Sequence, residues 1–354
     1  MKSKLSRFRE ELKKREISSA IITDEINIHY LCGYNYTDGF LLIGEENAYL
    51  VTDGRYEEEA VLLADKSFDV VVPDDRMAFV RSFLKDVRNL GYEGNSMTVE
   101  TFHRYETALV TPMVPLGDLL AQMRAVKTEE EIGYIKKAQS IADAAYSHIL
   151  KVLTPTVTEK EIALELSYFM RRNGAEGDSF DIIAVSGAAS ALPHGKCRNE
   201  RISKGFLTMD FGCRYHGYCS DMTRTVCIGK ADEEMRRVYQ TVLAAQREAL
   251  FVIRAGETGA FVDGVARQYI AANGYGDAFS HSLGHGVGMY IHELPTLSSR
   301  SNASLLVSGN VVTVEPGIYL AGKYGCRIED MGVVTADGFD NFTKSNKELI
   351  ELFA

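Results

Sequence analysis

The stretch 207–225 constrains the fold most strongly, because it places two carboxylates in neighbouring runs with strand-like patterns. Apolar and β-branched residues flank a turn at 214–217, which is typical of a β-hairpin. A hairpin centred on residues 215 and 216 would pair Asp210 with Asp221, with Cβ atoms about 5 Å apart. Two like charges in that position require a nearby cation, and a divalent metal ion is the simplest one. Alternatively, one Asp faces solvent or caps the turn.

The composition excludes several classes of protein. The 354 residues carry a net charge of −10 without a cluster of Lys and Arg, so a nucleic-acid partner is not expected. We find neither the apolar segment of a secretory signal nor a run long enough to span a bilayer. The six cysteines form no C-x-x-C pair. Reduced thiols, a cytoplasmic location and no membrane association are therefore expected.

Residues 1–124 alternate between strand-like and helical patterns, which predicts a small α/β domain. The predicted helices are 3–16, 56–64, 77–90 and 102–110, and the predicted strands are 19–23, 40–43, 48–51, 68–72 and 97–99. No G-x-G-x-x-G follows a strand here, so a dinucleotide cofactor is not expected. Capping-box patterns then open a helix from Thr128 to about Val152 and another at Thr158. We place the domain boundary near residue 124, which leaves 125–354 as a second domain.

A weak internal repeat divides this second domain. The segment 152–174 resembles 252–274 at an offset of 100, with Thr158 matching Thr258 and the Asn-Gly pair at 173–174 matching that at 273–274. In each half, helices lead to a strand, a loop with histidine and a pair of strands with carboxylates. In the second half those strands are 311–315 and 327–329. The repeat predicts that both carboxylate-bearing pairs meet at a shared centre.

Four carboxylates and one imidazole form the candidate metal set: Asp210, Asp221, His285, Glu315 and Glu329. Such ligands suit two hard or borderline divalent ions per chain, with Mn²⁺ preferred and Co²⁺ or Zn²⁺ as alternatives. Glu315 follows the apolar run 311–314, where a buried carboxylate is costly unless it is paired or bound to metal. Glu329, next to Arg327 and Asp330, could instead belong to a surface charge cluster.

A glycine-rich loop contains three histidines within a span of twelve residues: His281, His285 and His292. The glycines disfavour a helix there and allow the backbone to approach a ligand closely. The sequence His292-Glu-Leu-Pro is not H-E-x-x-H, because the second histidine is missing. A single-zinc metalloprotease helix is therefore excluded.

Several motifs, in order, resemble those of the pita-bread metallopeptidases, and of the aminopeptidase P and prolidase branch in particular. They are MDFG at 209–212, GYCSDMTRT at 217–225, GHGVG at 284–288, HELP at 292–295, VEPGIY at 314–319 and RIED at 327–330. The resemblance implies an α+β fold, in which a pita-bread catalytic domain with a pseudo-two-fold repeat follows a smaller creatinase/prolidase-like α/β domain. A homodimer is also implied.

The same resemblance assigns roles to individual residues. Asp210 would bind one metal ion, His285 and Glu315 the other, and Asp221 and Glu329 would bridge both. His194, His281 and His292 match pocket histidines that bind substrate and stabilise the tetrahedral intermediate. Arg327 matches an arginine that orients Glu329 and its neighbours.

The expected reaction is hydrolysis of the bond between an N-terminal residue and proline, in a peptide or dipeptide substrate with proline at the second position. Glu315 would act as general base, and His292 and His194 would hold the substrate or donate to the oxyanion. A methionine aminopeptidase shares the five ligands and is an alternative, as is a non-catalytic peptide-binding module. A creatinase-type hydrolase would lack these ligands. The choice between dipeptidase and aminopeptidase stays open.

Overall fold

The computed structural model describes residues 3–35, 38–302 and 305–354. The chain divides into two compact units, Met1–Arg124 and Ala125–Ala354. No helix in the described ranges is long and apolar enough to cross a membrane. All six cysteines are free thiols, and five of them are buried.

The first unit is built on one six-stranded mixed sheet with strand order β4-β3-β2-β1-β5-β6. Its helices are α1 (Lys4–Lys14), α2 (Glu25–Cys32), α3 (Glu57–Leu63), α4 (Arg76–Phe83), α5 (Val99–Ala108) and α6 (Leu119–Ala125), the last of which crosses the division. Its strands are β1 (Ser19–Ile22), β2 (Phe40–Ile43), β3 (Ala48–Val51), β4 (Asp69–Val71), β5 (Leu90–Tyr92) and β6 (Met113–Pro115). The buried residues Leu5, Phe8 and Leu12 make α1 amphipathic, as their spacing predicts.

Two predictions for this unit were wrong in detail. The predicted strand 97–99 leads into α5, because Val99 is the first residue of that helix and the Thr98 side chain caps it by accepting a hydrogen bond from the Thr101 N–H. The predicted helix 77–90 ends at Phe83, and Leu90 begins β5. The sequence analysis missed α2, β5 and β6.

The second unit contains four helices: α7 (Glu129–Val152), α8 (Glu159–Arg172), α9 (Glu233–Val252) and α10 (Gly259–Ala272). Two 3₁₀ helices are Gly187–Ala191 and Gly276–Ala278. The strands of its first half are β7 (Gly177–Asp178), β8 (Ile183–Ser186), β9 (Gly205–Phe211), β10 (Cys213–Tyr215), β11 (Tyr218–Cys219) and β12 (Met222–Ile228). Those of its second half are β13 (Gly284–Gly286), β14 (Glu293–Leu297), β15 (Val311–Val314), β16 (Gly317–Leu320), β17 (Tyr324–Arg327), β18 (Asp330–Val334), β19 (Phe339–Asn341) and β20 (Glu351–Leu352).

The two halves repeat one plan. Both predicted capping boxes, at Thr128 and Thr158, are present. α8 and α10 each follow a threonine cap and end at an asparagine, and the glycines at 174 and 274 both have positive φ. One hydrophobic core packs α7 and α8 on β8, β9 and β12, and another packs α9 and α10 on β15–β18. The predicted internal repeat is therefore present in the fold.

The register of the central hairpin differs from the prediction by two residues. The turn lies at His216 and Gly217, which both have positive φ, as two-residue hairpin turns require. Asp210 consequently pairs with Thr223, not with Asp221, and Tyr218 pairs with Tyr215, not with Cys213. The two Asp side chains are therefore diagonal neighbours rather than opposite ones.

The carboxylate-bearing strands of the second half also pair differently from the expected arrangement. β15 pairs with β18, with Val314 opposite Asp330, while Arg327 on β17 pairs with Gly317 on β16. Glu315 thus follows the end of β15, and Glu329 lies between β17 and β18.

Candidate metal centre

Strand alternation places Asp210 on the open face of β9. Met209 and Phe211 are fully buried in the core of the first half, so the residue between them points to the other face. There the Asp210 Oδ2 atom accepts a hydrogen bond from Arg327 Nη2 at 2.6 Å. The other carboxylate oxygen, Oδ1, is buried and has no hydrogen-bond partner in the described part of the chain. This orphaned acceptor is a candidate metal ligand, because a buried charge without a partner is costly.

Asp221 lies in a short break between β11 and β12. The break depends on Gly212, because a Cβ atom there would lie 1.9 Å from the Ser220 carbonyl oxygen. The Asp221 side chain is only 6% exposed, and its Oδ2 atom lies 3.6 Å from His285 Nε2. The close approach at Gly212 thus holds the second carboxylate of the first half near a ligand from the second half.

His285 is held in the orientation that a metal ligand requires. Its backbone N–H donates to Thr313 Oγ1, and Nδ1 lies 3.1 Å from the Gly286 carbonyl oxygen, to which it can donate. Nε2 is then left to face the carboxylates and lies 3.4 Å from Glu315 Oε1. The Thr313 hydroxyl lies 3.3 Å from the same Glu315 oxygen and donates to it.

Glu329 is buried and is connected to the first half through Thr223. The Thr223 hydroxyl donates to Glu329 Oε2 at 2.7 Å and accepts from Arg327 Nε at 3.1 Å. Glu329 is 2% exposed, so the surface-cluster interpretation is wrong for this residue. Ligand atoms of Asp221, His285 and Glu329 all lie within 4.8 Å of one another, close enough to share one ion.

The electrostatics of the cluster favour a bound cation. Burial raises the pKa of the Glu315 carboxyl to about 8, against the opposing effect of Arg327. Burial also raises the pKa values of Asp221 and Glu329. The charges of Asp210 and Glu315 raise that of Asp221 further, and those of Asp221, Glu315 and Asp210 raise that of Glu329 further. Burial lowers the pKa of His285 to about 4, so its imidazole is neutral near pH 7, as metal coordination requires.

The three other predicted histidines lie beside this cluster. The His292 ring is 4.3 Å from that of His285, centroid to centroid. His194 and His292 are both exposed, and partial burial together with the nearby His194 lowers the pKa of His292. His281 differs, because Nε2 lies 2.8 Å from the Tyr319 hydroxyl and Nδ1 lies 2.8 Å from the Ser282 carbonyl oxygen. Both ring nitrogens of His281 therefore have protein partners.

A chain of hydrogen bonds joins His281 to Asp210. Arg327 Nη1 donates to the Tyr319 oxygen at 2.8 Å, so the Tyr319 hydroxyl is left to donate to His281 Nε2. The other end of the Arg327 fork holds Asp210. Arg327 thus contacts Asp210 directly and reaches Glu329 only through Thr223.

Sequence reasoning did not assign roles to Thr223, Thr313 and Tyr319. All three lie within or next to motifs already identified. Thr223 is two residues from both Asp221 and Thr225, so strand alternation alone would have put it on the ligand face. The positions of Thr313 and Tyr319 beside the ligands depend on the second-half strands, for which the predicted pairing was incomplete.

Comparison with known families was consistent with this geometry. Residues 133–336, more than half of the chain, match the model of metallopeptidase family M24. The chain belongs to this family. Residues 4–126 match the creatinase/prolidase N-terminal domain. The resemblance and the fold class inferred from the motifs are thereby confirmed, and this M24 chain is a metallopeptidase.

Similar proteins extend over nearly the whole M24 chain. A Pyrococcus furiosus protein named Xaa-Pro dipeptidase is 37% identical over 99% of this chain and 100% of its own length. The solved structure of an Xaa-Pro dipeptidase from Bacillus anthracis has a TM-score of 0.95 at 40% identity, covering 98% of this chain and 99% of that one. That of an X-Pro aminopeptidase from Thermotoga maritima has a TM-score of 0.91 at 36% identity, covering 97% and 100%.

Proposed function

We propose that this metallopeptidase hydrolyses the peptide bond between an N-terminal residue and proline, using two divalent metal ions. The observation that carries the proposal is the convergence of Asp221, Glu315 and Glu329 on the His285 imidazole, beside Asp210, whose buried Oδ1 has no hydrogen-bond partner in the described part of the chain and whose charge raises the pKa values of the other three carboxyls. The substrate class is supported by relatives named for Xaa-Pro cleavage, which align over nearly the full chain.

The residues present fit a pair of divalent ions, because four carboxylates and a neutral imidazole are suitable ligands for Mn²⁺, Co²⁺ or Zn²⁺. When bound, such ions lower the pKa of water and polarise a carbonyl group. We assign Asp210 to one ion, His285 and Glu315 to the other, and Asp221 and Glu329 to both. Manganese and a cytoplasmic location stay predictions from the sequence, and a homodimeric assembly stays a prediction from the family resemblance.

Within this centre, Glu315 is the proton acceptor. In the metal-free protein, burial raises the pKa of its carboxyl to about 8, so its carboxylate is a stronger base than that of an exposed glutamate. His292 and His194 are exposed at the edge of the cluster, where each can donate to the developing oxyanion or hold the peptide. His281, whose two nitrogens are engaged, acts instead through Tyr319 and Arg327 on Asp210.

The test combines metal analysis with a set of short substrates. Purified protein saturated with Mn²⁺ should hold two ions per chain and should cleave Ala-Pro but not Ala-Ala. Cleavage of Met-Ala-Ser in preference to Ala-Pro would favour a methionine aminopeptidase and contradict the proposal. Comparing Ala-Pro with Arg-Pro-Pro then separates a dipeptidase from an aminopeptidase. Failure to cleave either Xaa-Pro substrate with Mn²⁺, Co²⁺ or Zn²⁺ would refute the proposed activity.

A further inference from the structure

The segment 279–283, which carries His281, has almost no regular secondary structure. It follows the 3₁₀ helix Gly276–Ala278 and precedes β13. Backbone N–H and C=O groups in such a segment need partners outside a helix or sheet. Most of those partners come from two side chains one turn apart on α10, Asp263 and Arg267.

Arg267 binds the backbone of this segment at Phe279 and at His281. Its Nη1 donates to the Phe279 carbonyl oxygen at 2.9 Å, and its Nη2 donates to the His281 carbonyl oxygen at 2.9 Å. The guanidinium also lies over the Phe279 ring, 4.3 Å from its centroid. The Phe279 ring in turn packs edge to face against His281, with centroids 5.1 Å apart.

Asp263 holds the segment after the histidine. It is 1% exposed, and its Oδ1 atom accepts from the Leu283 N–H at 3.0 Å. Both of its oxygens accept from Arg267, at 2.8 Å each, which fixes the plane of the guanidinium. The Leu283 carbonyl oxygen accepts from the N–H of Glu315, so the same segment is hydrogen-bonded to the backbone of a proposed metal ligand.

We propose that Asp263 and Arg267 form a clamp of positioning residues that holds His281 against Tyr319, and through Tyr319 and Arg327 sets the position of Asp210. The clamp touches no substrate. Its geometry needs a planar fork, because one side chain must reach two carbonyl oxygens and both oxygens of a carboxylate at once. The effect on activity rests on the proposed function, whereas the hold on the segment does not.

Arg267→Lys is the informative variant, because lysine keeps the charge beside Asp263 but cannot reach both carbonyl oxygens. The matched control is Arg254→Lys. Arg254 forms an exposed pair with Glu257 through the same two nitrogen types, just before α10, and that pair holds no histidine segment.

With Ala-Pro as substrate, Arg267→Lys should lower kcat about tenfold to a hundredfold, since small misplacements of reacting groups have effects of this size. The KM value should change less than about threefold, because the clamp acts through His281 and not on the substrate. Metal content at saturating Mn²⁺ and Tm should stay near those of the parent protein. Arg254→Lys should match the parent in every respect. A parental kcat in Arg267→Lys would overturn the proposal.

A double-mutant cycle tests the route of action. If Arg267 acts through His281, adding Arg267→Lys to His281→Ala should change kcat less than about twofold. Independent, multiplying effects would overturn the proposal.

Hydrogen exchange of a peptide covering 279–283 gives a readout that needs no substrate. Exchange should be faster in Arg267→Lys and unchanged in Arg254→Lys. Unchanged exchange in Arg267→Lys would overturn the clamp even if activity fell. If the parent protein cleaved no Xaa-Pro peptide, only the proposed function would fail, and this measurement would still decide the clamp.

Discussion

The two halves of the catalytic unit use the same plan with different chemistry. In each, one carboxylate lies at or near the end of a strand, as Asp210 does in β9 and Glu315 does after β15. A second carboxylate lies in a break between two strands, as Asp221 and Glu329 do. The ligand set of the second half also contains an imidazole, His285. The second half supplies Arg327 as well, which donates to Asp210 of the first half. Neither half contains a complete set of ligands.

The loops that bear the pocket histidines show the same relation. In the first half, Glu159 on α8 accepts from the N–H and hydroxyl of Ser186 and from Arg198, so it ties together both ends of the loop that carries His194. In the second half, Asp263 and Arg267 on α10 hold the segment that carries His281. The repeat therefore preserves a buried carboxylate on the second helix that pairs with an arginine. The arginine is Arg198 on the loop in the first half and Arg267 on α10 in the second.

The largest effect is expected at Glu315, the proposed proton acceptor, where the chemistry of the two halves differs most. With metal saturated, Glu315→Gln should lower kcat on Ala-Pro by about 10²–10⁴-fold, the usual contribution of a general base. Steady-state kinetics with bound metal measured in parallel would check this. The exposed Glu348 provides a control, and Glu348→Gln should keep parental activity. Full activity in metal-loaded Glu315→Gln would show that Glu315 is not the general base.

A second prediction tests how the halves are joined. Arg224 in β12 is fully buried, donates to Asp330 Oδ1 at 2.8 Å, and also donates to the carbonyl oxygen of Glu329. Arg224→Met removes one of the two cations beside the buried Asp330, of which Lys347 stays, and it removes the donors to the carbonyl oxygens of Glu329, Ser345 and Asn346. It should lower the free energy of unfolding by about 3–5 kcal/mol. Urea denaturation measures this loss. The exposed pair of Arg247 and Glu348 is the control, where Arg247→Met should cost less than about 1 kcal/mol.

Metal removal tests whether the carboxylates of both halves repel one another. The pKa of Glu315 is raised to about 8 by burial, and the pKa values of Asp221 and Glu329 are also raised. The folded, metal-free protein therefore binds protons more tightly than the unfolded chain. The contribution of these carboxyls to stability should be greatest below about pH 4.5, the unfolded value for Glu, and should fall as pH rises towards 8. The lowered pKa values of His281 and His285 act in the opposite sense below about pH 6.5, so the net fall is expected between pH 6.5 and pH 8.

Thermal unfolding of chelated protein, scanned from pH 5 to pH 8, would measure that fall, with each pKa unit worth about 1.4 kcal/mol. Saturation with Mn²⁺ should remove the decline, because a cation stabilises the ionised carboxylates. A chelated protein with a higher Tm at pH 8 than at pH 6.5 would show that the carboxylates do not repel one another.

The smallest effect tests the equivalence of the halves directly. Gly174 and Gly274 end the equivalent helices with φ of +102° and +87°, and no atom lies within 4 Å of a Cβ built at either position. Alanine at either site meets only backbone strain, worth about 1–2 kcal/mol. Gly174→Ala and Gly274→Ala should therefore cost nearly the same in urea denaturation. A difference above about 1 kcal/mol would break the equivalence.

Local sequence patterns were sufficient to predict α7 and α8 of the catalytic unit. α7 and α8 begin at their capping boxes, because a cap is decided by residues three positions apart. The hairpin register was less accessible, since moving the turn by one residue moves every partner by two. The three-residue strands β5 and β6 escaped notice because their only neighbours are parallel strands remote in sequence. Thr98 was not predicted to be a helix cap, because residues 97–99 were predicted to form a strand.

The sequence by itself determined the family motifs, the repeated helices and the kinds of ligand present, because these depend on residue type and on spacings of a few positions. The tertiary structure alone decided which oxygen of Asp210 lacks a partner, that Thr223 faces Asp210, and that Arg327 holds Asp210 while Tyr319 takes up His281. The contacts of Arg327 with Asp210 and of Tyr319 with His281 join residues 117 and 38 positions apart, and the pairing of Thr223 with Asp210 depends on the hairpin register. Such distances are set by how two hydrophobic cores bring the halves together, and no local pattern encodes them.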